Sequence, residues 1–450
     1  MSLTRRKFVF SLGAGLLLDQ LPIMSALAQT SGGGYRALVC VFLFGGNDGN
    51  NTVVPLDSRY SDYLTVRGDG SNGGIGLAQS SLVPLTPASG SASYGLHPNL
   101  SDLQGIWNSG QMALLFNTGT LLQPMTVADY KSGAKPAPLD LFSHADQQNQ
   151  MQTALSDSQS QSGWGGRIAD ALAGANGSSP LPLVLSTGGN VLFTLGAQSH
   201  PLALPSSGGF ALKSFGGSYA SGVSSAFQQL LALDRSNQQV AAAQSTTILG
   251  QASSTALNSI LTGISAVDSA FSGQQTGIAN QLHQVAKVIA ANQALSAQRQ
   301  IFFVQLGSFD THTNQVQEQG DLFAQLGPAL KGFNDAMNQI GAASQVTTFT
   351  LSDFARTFQP NTGGGTDHAW GNHHFIIGGA VKGRQVYGTY PSLTLNGPDD
   401  VGGEGRWLPT TAVDQYGATL ARWFGVPASA LATVFPNLGS FSSSDLGFMA

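Results

Sequence analysis

Residues 346–375 read VTTFTLSDFARTFQPNTGGGTDHAWGNHHF. A β-branched run, Val346 to Thr350, is followed by Ser352-Asp353 and then by a Gly-rich loop. That pattern predicts a strand that delivers polar side chains to its carboxyl end. The loop carries Asp367-His368 and His373-His374, so three of the chain's eight His fall in this one segment. Carboxylates and imidazoles gathered at a strand end are the donor set of a hard or borderline divalent metal.

Working outward, three more apolar runs have the same form. Tyr35 to Phe44 (YRALVCVFLF), Gln111 to Phe116 (QMALLF) and Gln300 to Leu306 (QIFFVQL) are nearly continuous apolar stretches. Runs of that length suit strands buried on both faces of a sheet. Helical patterns fall between them, at Leu103 to Ser109, from Asp140 towards Leu155, at Ile168 to Leu172 and from Asp321 to Ala342. A further short strand is expected at His374 to Gly379, and an amphipathic helix at Val413 to Phe424. Strands alternating with helices predict an α/β fold with a mostly parallel central sheet flanked by helices. Tyr219 to Gln300 is Ala/Gln/Ser-rich, with apolar residues at Leu257, Ile260, Leu261, Ile264 and Val267, a helical spacing. It is expected to form two or three helices, as an insertion at about 219–300 in a single domain covering 29–450.

In open α/β sheets ligands bind beyond the carboxyl ends of the strands. Asp48 follows the first run, and Asp310 and His312 follow the third with one residue between them. Extended backbone would put those two side chains on one side. Asp353, Asp367 and His368 follow the fourth. Ser143, at the head of the segment SHADQ, is either a helix N-cap or a nucleophile set against free backbone N–H groups. Arg356 and Arg167 are the guanidinium groups placed to clamp an anionic substrate.

Charged residues are only 10% of the chain and the net charge is −5. Without a basic run beyond the N-terminus, nucleic acid is not the expected partner. Thr4-Arg5-Arg6-Lys7-Phe8, a modest apolar stretch and Ala26-Leu27-Ala28 have the layout of a signal peptide over residues 1–28. The paired Arg is similar to the twin-arginine type, which predicts the twin-arginine export machinery as a partner and a periplasmic or secreted location. The apolar part, broken by Gly13, Gly15 and Asp19, is too short for a stable transmembrane anchor. Cys40, the single cysteine, excludes a disulfide within the chain and reads as a buried thiol.

The segments GGNDGNNTVVPL, LFSHADQ, FDTHTNQ, SDFART, GTDHAWGNHH, VDQYGATLARWFGVP and FPNLGSF occur in this order. Together with the leader they resemble the bacterial domain of unknown function 1501, which is in turn similar to the alkaline phosphatase and sulfatase superfamily. The resemblance implies an alkaline phosphatase-like core sheet that binds one or two divalent metals. It makes Asp48, Asp310, His312 and Asp353 metal ligands, with Asp367 and His368 completing the set, and Ser143 the nucleophile. Phe354 stands where that superfamily usually has His after its Asp. The metal expected is Zn²⁺, with Ca²⁺, Mg²⁺ and Mn²⁺ also open. The expected activity is exported, metal-dependent hydrolysis of a phosphate or sulfate ester, with an anionic ester or a polysaccharide as substrate. The alternative is a non-catalytic envelope binding or export-associated protein on the same fold. A redox enzyme with a dinucleotide gains no support, because the GGND segment lacks the required glycine spacing.

Overall fold

The computed structural model describes residues 34–70, 73–88, 93–209, 219–233 and 237–450. The expected signal peptide lies outside these residues. The strands are β1 (Arg36–Leu43), β2 (Val53–Pro55), β3 (Val83–Leu85), β4 (Tyr94–Leu96), β5 (Met112–Gly119), β6 (Val184–Ser186), β7 (Leu202–Ala203), β8 (Arg299–Leu306), β9 (Val346–Ser352), β10 (Asn372–Ile377), β11 (Val386–Tyr387) and β12 (Thr411–Ala412). Among the described residues, nine of them form one sheet in the order β11-β5-β10-β9-β1-β8-β6-β7, with β12 also on β5. β10 runs antiparallel to β5 and β9, and the other pairings are parallel. β2, β3 and β4 make a small antiparallel sheet.

The α/β reading therefore holds, and the four long apolar runs are β1, β5, β8 and β9. The central strand β1 explains why its run is continuous. Ala37, Val39, Val41 and Leu43 enter one apolar core, while Leu38, Cys40 and Phe42 enter another. Side chains alternate across a strand, so two buried faces remove any polar alternation. The first core is capped by Leu322, Phe323, Leu326, Leu330 and Phe333 of helix Gln315–Gln339 and by Ile278, Leu282, Val285 and Ile289 of helix Gly277–Ala290. The second is capped by Trp164 and Ile168 of helix Trp164–Ala171 and by Val413, Tyr416, Leu420 and Phe424 of helix Val413–Phe424. Side chains of this size contribute about 1.5–3 kcal/mol each when fully buried.

Local departures have physical causes. The helix expected from Asp321 begins six residues earlier, at Gln315, because Asn314 in a left-handed conformation turns the chain directly out of the β8 loop. The helix expected from Asp140 begins at His144, since Asp140 and Phe142 both have positive φ (44° and 71°) and cannot belong to a right-handed helix. Helices Ala220–Leu231, Gln238–Leu261 and Gly277–Ala290 occupy the Ala/Gln/Ser-rich region. No helix among the described residues is long and apolar enough to cross a membrane. Cys40 is buried, and burial pushes its thiol well above the usual range.

Candidate metal centre

β1, β5, β8 and β9 point the same way, so their carboxyl ends share one rim. Two glycines let the loops close there. Gly45 and Gly46 follow β1 with φ of +110° and +80°. A Cβ on Gly46 would lie 2.3 Å from the Phe354 ring, and one on Gly45 would lie 2.5 Å from the Asp310 backbone nitrogen. The close approach of these loops is possible only because no side chain stands between them.

After β8 the chain turns at Ser308, whose φ is 76°, and Phe309 and Asp310 then accept from the backbone N–H groups of Thr311 and His312. Phe309 and Thr311 are buried while Asp310 and His312 face outward. After β9, Asp353 is fully buried and Arg356 forms an isolated antiparallel bridge with His368. This bridge brings the Gly-rich loop back over the rim. The third contributor is the helix His144–Thr153, whose first residue is His144.

These segments converge on one carboxylate. One ligand atom each from His144, Asp310 and His368 lies within 4.8 Å of the other two. Asp310 Oδ1 is 3.4 Å from His144 Nε2, 3.4 Å from His368 Nε2 and 3.0 Å from His312 Nε2. The His312 and His368 Nε2 atoms are 3.1 Å apart. Four-coordinate zinc with bonds of about 2.0–2.1 Å holds neighbouring ligand atoms roughly 3.3 Å apart.

The other nitrogen of each ring is engaged. His144 Nδ1 lies 2.8 Å from Asp353 Oδ2, His312 Nδ1 lies 2.9 Å from Asp367 Oδ1, and His368 Nδ1 lies 2.7 Å from the Phe142 carbonyl. Carboxylates and carbonyls only accept, so each Nδ1 carries a proton, and a ring in its neutral form then offers its Nε2 lone pair. Lone pairs facing each other at 3.1 Å beside a carboxylate repel unless a cation lies among them. His144 Nε2 is buried and makes no hydrogen bond, despite its approach to Asp310. The donor set thus fits a divalent metal of the zinc type: two or three imidazoles and one carboxylate, with the outward nitrogens oriented by a second set of acceptors. Three imidazoles fit Ca²⁺ or Mg²⁺ poorly, since those ions take oxygen ligands.

The surroundings tune these groups. The Asp353 hydrogen bond raises the His144 pKa, against its partial burial. Burial lowers the His368 pKa. Burial works against the charged form of Asp310, yet Arg356 and the adjacent imidazoles hold its carboxyl down at about 2. The Asp310 side chain is 44% exposed, so the group opens to solvent. Phe354 forms an apolar floor, its ring centre 4.8 Å from that of His144 and 4.7 Å from that of His368. The Phe in place of His therefore packs beneath two imidazoles.

Not every residue expected at the site contributes to it. Asp48 is at the strand end but turns inward. Its buried carboxylate accepts from Arg67 at 2.5 and 3.1 Å, from Gln315 at 2.5 Å and from Asn50. With its oxygens so occupied, it is a buried ion pair rather than a ligand. Asp353 reaches the group through His144, and its Oδ2 also accepts from Gln148 at 2.6 Å and Gly45 at 3.2 Å. Asp367 acts in the same way through His312. Arg356 is fully buried and donates to Asp310 at 2.6 Å, to the Gly45 carbonyl at 3.1 Å and to Thr366. It anchors Asp310 and has no arm free for a substrate. Arg167 donates to the carbonyls of Val434, Ser162 and Thr153, which makes it a structural tie. Ser143 occupies the N-cap position without capping, and its hydroxyl donates to Asp146 at 2.6 Å.

His144 is the member that sequence reasoning missed. Its one signal was its place beside Ser143, at the start of a helix expected near the rim. His373 and His374 lie in β10 rather than in the loop, both are buried, and burial pushes both down to about 3.

Residues 35–402 match the family model described as Protein of unknown function (DUF1501). No curated protein matches the chain. Among solved structures the chain is similar to one titled "Crystal structure of Ps i-CgsB in complex with k-i-k-neocarrahexaose", at 10% identity and a TM-score of 0.32, over 88% of this chain and 73% of that one.

Proposed function

We propose that this chain, which belongs to the DUF1501 family, is an exported metal-dependent hydrolase of phosphate or sulfate esters. The observation that carries the proposal is the convergence of imidazole Nε2 atoms on Asp310 Oδ1, with each Nδ1 already committed to an acceptor. His144, Asp310 and His368 would hold the metal, and His312 stands beside them as a further donor. When bound, such a metal lowers the pKa of a hydroxyl or water and offsets negative charge in the transition state.

The chain's own groups would do the rest. Ser143 is the candidate nucleophile: it adjoins His144, and its hydroxyl is oriented by Asp146. It stands at the amino end of a ten-residue helix, where the first N–H groups lack helical partners and favour an anionic oxygen. Phe142, immediately before it, is held at a φ of 71°. A non-glycine residue there costs about 1–3 kcal/mol, which the hydrogen bond from His368 helps to offset. Phe354 excludes water from beneath the imidazoles. Arg167 and Arg356 take no direct part.

A second reading, a non-catalytic envelope binding protein, draws on the inward turn of Asp48 and the full occupation of Arg356. The test is hydrolysis of 4-nitrophenyl phosphate and 4-nitrophenyl sulfate by protein loaded with zinc, with and without a chelator. Chelator-sensitive turnover that Ser143→Ala abolishes supports the hydrolase. Bound metal without turnover on either ester leaves the binding protein. Export by the twin-arginine route predicts that Arg5→Lys with Arg6→Lys retains the protein in the cytoplasm.

A further inference from the structure

A cavity of about 330 Å³ opens on the helical region. Asn280, His283, Gln284 and Lys287 line it from helix Gly277–Ala290. Their spacing puts all four on one helical face. Asn258 and Thr262 face them from the end of the preceding long helix. Among the described residues lining it, Leu261 alone has an apolar side chain. An apolar ligand would therefore gain little here.

The groove is built rather than incidental. Asp268 holds His283 at 2.7 Å and Lys287 at 3.0 Å, and the His283 ring stacks on Phe271 at 4.8 Å. Gln284 donates to the Gly208 carbonyl at 2.7 Å. Lys287 is paired with Asp268, which takes one of its three donors and leaves two N–H groups for a ligand at the cavity wall. Carboxamides, a hydroxyl and one ammonium are what a hydroxyl-rich ring bearing an anionic substituent needs.

Its place in the fold is as informative as its lining. Gln281, on the same helix, donates to the Gln305 carbonyl near the end of β8 and accepts from Thr187 just beyond β6. The cavity is also lined by Ser207, which follows β7. β6, β7 and β8 are parallel, so the Asn280 end of the groove lies towards the rim that carries Asp310, while Lys287 lies about two helical turns, roughly 10 Å, further from it. β7 is two strands away from β8, roughly 10 Å across the sheet.

We infer that this groove is a subsite for an anionic sugar unit of an extended polysaccharide, whose ester-bearing unit lies at the His144/Asp310/His368 group. The inference rests on the hydrolase reading for the second half of that statement, and the test separates the two. Binding of a sulfated chondroitin hexasaccharide, its desulfated uronate counterpart and neutral maltohexaose is measured by calorimetry on the full chain. The wild type is compared with Lys287→Gln, Asn280→Ala and Asp310→Ala, each shown to be folded at the assay temperature by circular dichroism. The expected result is binding of the sulfated chain, about tenfold weaker in Lys287→Gln, the loss of one charge-assisted hydrogen bond. It should persist in Asp310→Ala. Binding of the uronate chain as well assigns recognition to any anionic substituent, and its absence assigns it to sulfate. No binding of either anionic chain, or binding indifferent to Lys287 and Asn280, overturns the inference. Loss in Asp310→Ala alone overturns the groove while leaving the hydrolase reading in place. Groove binding without ester hydrolysis overturns only the hydrolase.

Discussion

Asp353→Asn is the sharpest perturbation available, because it changes one atom outside the metal group. In the wild type, Asp353 Oδ2 accepts from His144 Nδ1 at 2.8 Å, Gln148 Nε2 at 2.6 Å and Gly45 N at 3.2 Å, while Oδ1 has no partner. An amide oxygen in the place of Oδ2 keeps the three bonds but loses the charge. Hydrogen bonds to a charged acceptor are worth about 1.5–3 kcal/mol and neutral ones about 0.5–1.5. The amide nitrogen then takes the position of Oδ1, exchanging one unpartnered buried group for another, so the lost charge on the three bonds sets the cost. The apo protein should therefore lose about 1–3 kcal/mol in urea unfolding. Metal affinity should fall further, since the carboxylate fixes the tautomer and basicity of His144. Removing such a partner weakens a metal site by roughly 10–100-fold, or about 1.4–2.7 kcal/mol. The assay is a competitive titration with a chromophoric zinc chelator. Asp367→Asn, acting through His312, should cost less, because His312 lies outside the three-residue group. Equal zinc affinity in Asp353→Asn and the wild type would refute the reasoning, for it would mean that His144 does not present Nε2 to a metal.

Arg356→Ala should cost about 3 kcal/mol in denaturant unfolding, at the low end for a buried ion pair because Asp310 remains half exposed to water. It should also weaken zinc binding by releasing Asp310. Arg167→Ala should destabilise the fold by about 1–3 kcal/mol, through the carbonyls it leaves without donors. Zinc affinity should be unchanged, and a matching loss of affinity would return Arg167 to the site. Asp414 gives a pH dependence remote from the rim. Both its carboxylate oxygens are buried without partners, and burial pushes its carboxyl from 3.8 up to about 8. The folded chain keeps a proton that the unfolded chain releases above about pH 4, so this contribution is full at low pH and is lost as pH rises towards 8. Asp414→Asn should therefore gain on the wild type between pH 5 and 8, by a few kcal/mol in order of magnitude. A difference that stays flat with pH in thermal melts refutes the assignment.

The sheet was legible because its long strands are buried on both faces, which leaves continuous apolar runs such as Tyr35 to Phe44. Short β6, β7, β11 and β12 carry two or three residues each and no such signal. Asp310 and His312 were legible as rim residues because they follow the apolar run of β8 with one residue between them. Asp48 was misread for a tertiary reason. Its place at a strand end is correct, but helix Arg59–Arg67 brings Arg67 onto it from nineteen residues away, and nothing in GGNDGNN reveals that partner. His144 was missed for the mirror-image reason. Locally it is one polar residue opening a helix, and its role depends on Asp353 and Phe354, more than two hundred residues later.

The central claim is that His144, Asp310 and His368 hold a metal. It is tested most directly by metal analysis and X-ray absorption on protein purified after export. The prediction is about one transition metal per chain, with nitrogen and oxygen neighbours at about 2.0–2.1 Å, and loss of that metal in His144→Ala. Protein that carries no stoichiometric metal, or that keeps it undiminished in His144→Ala, would contradict the account.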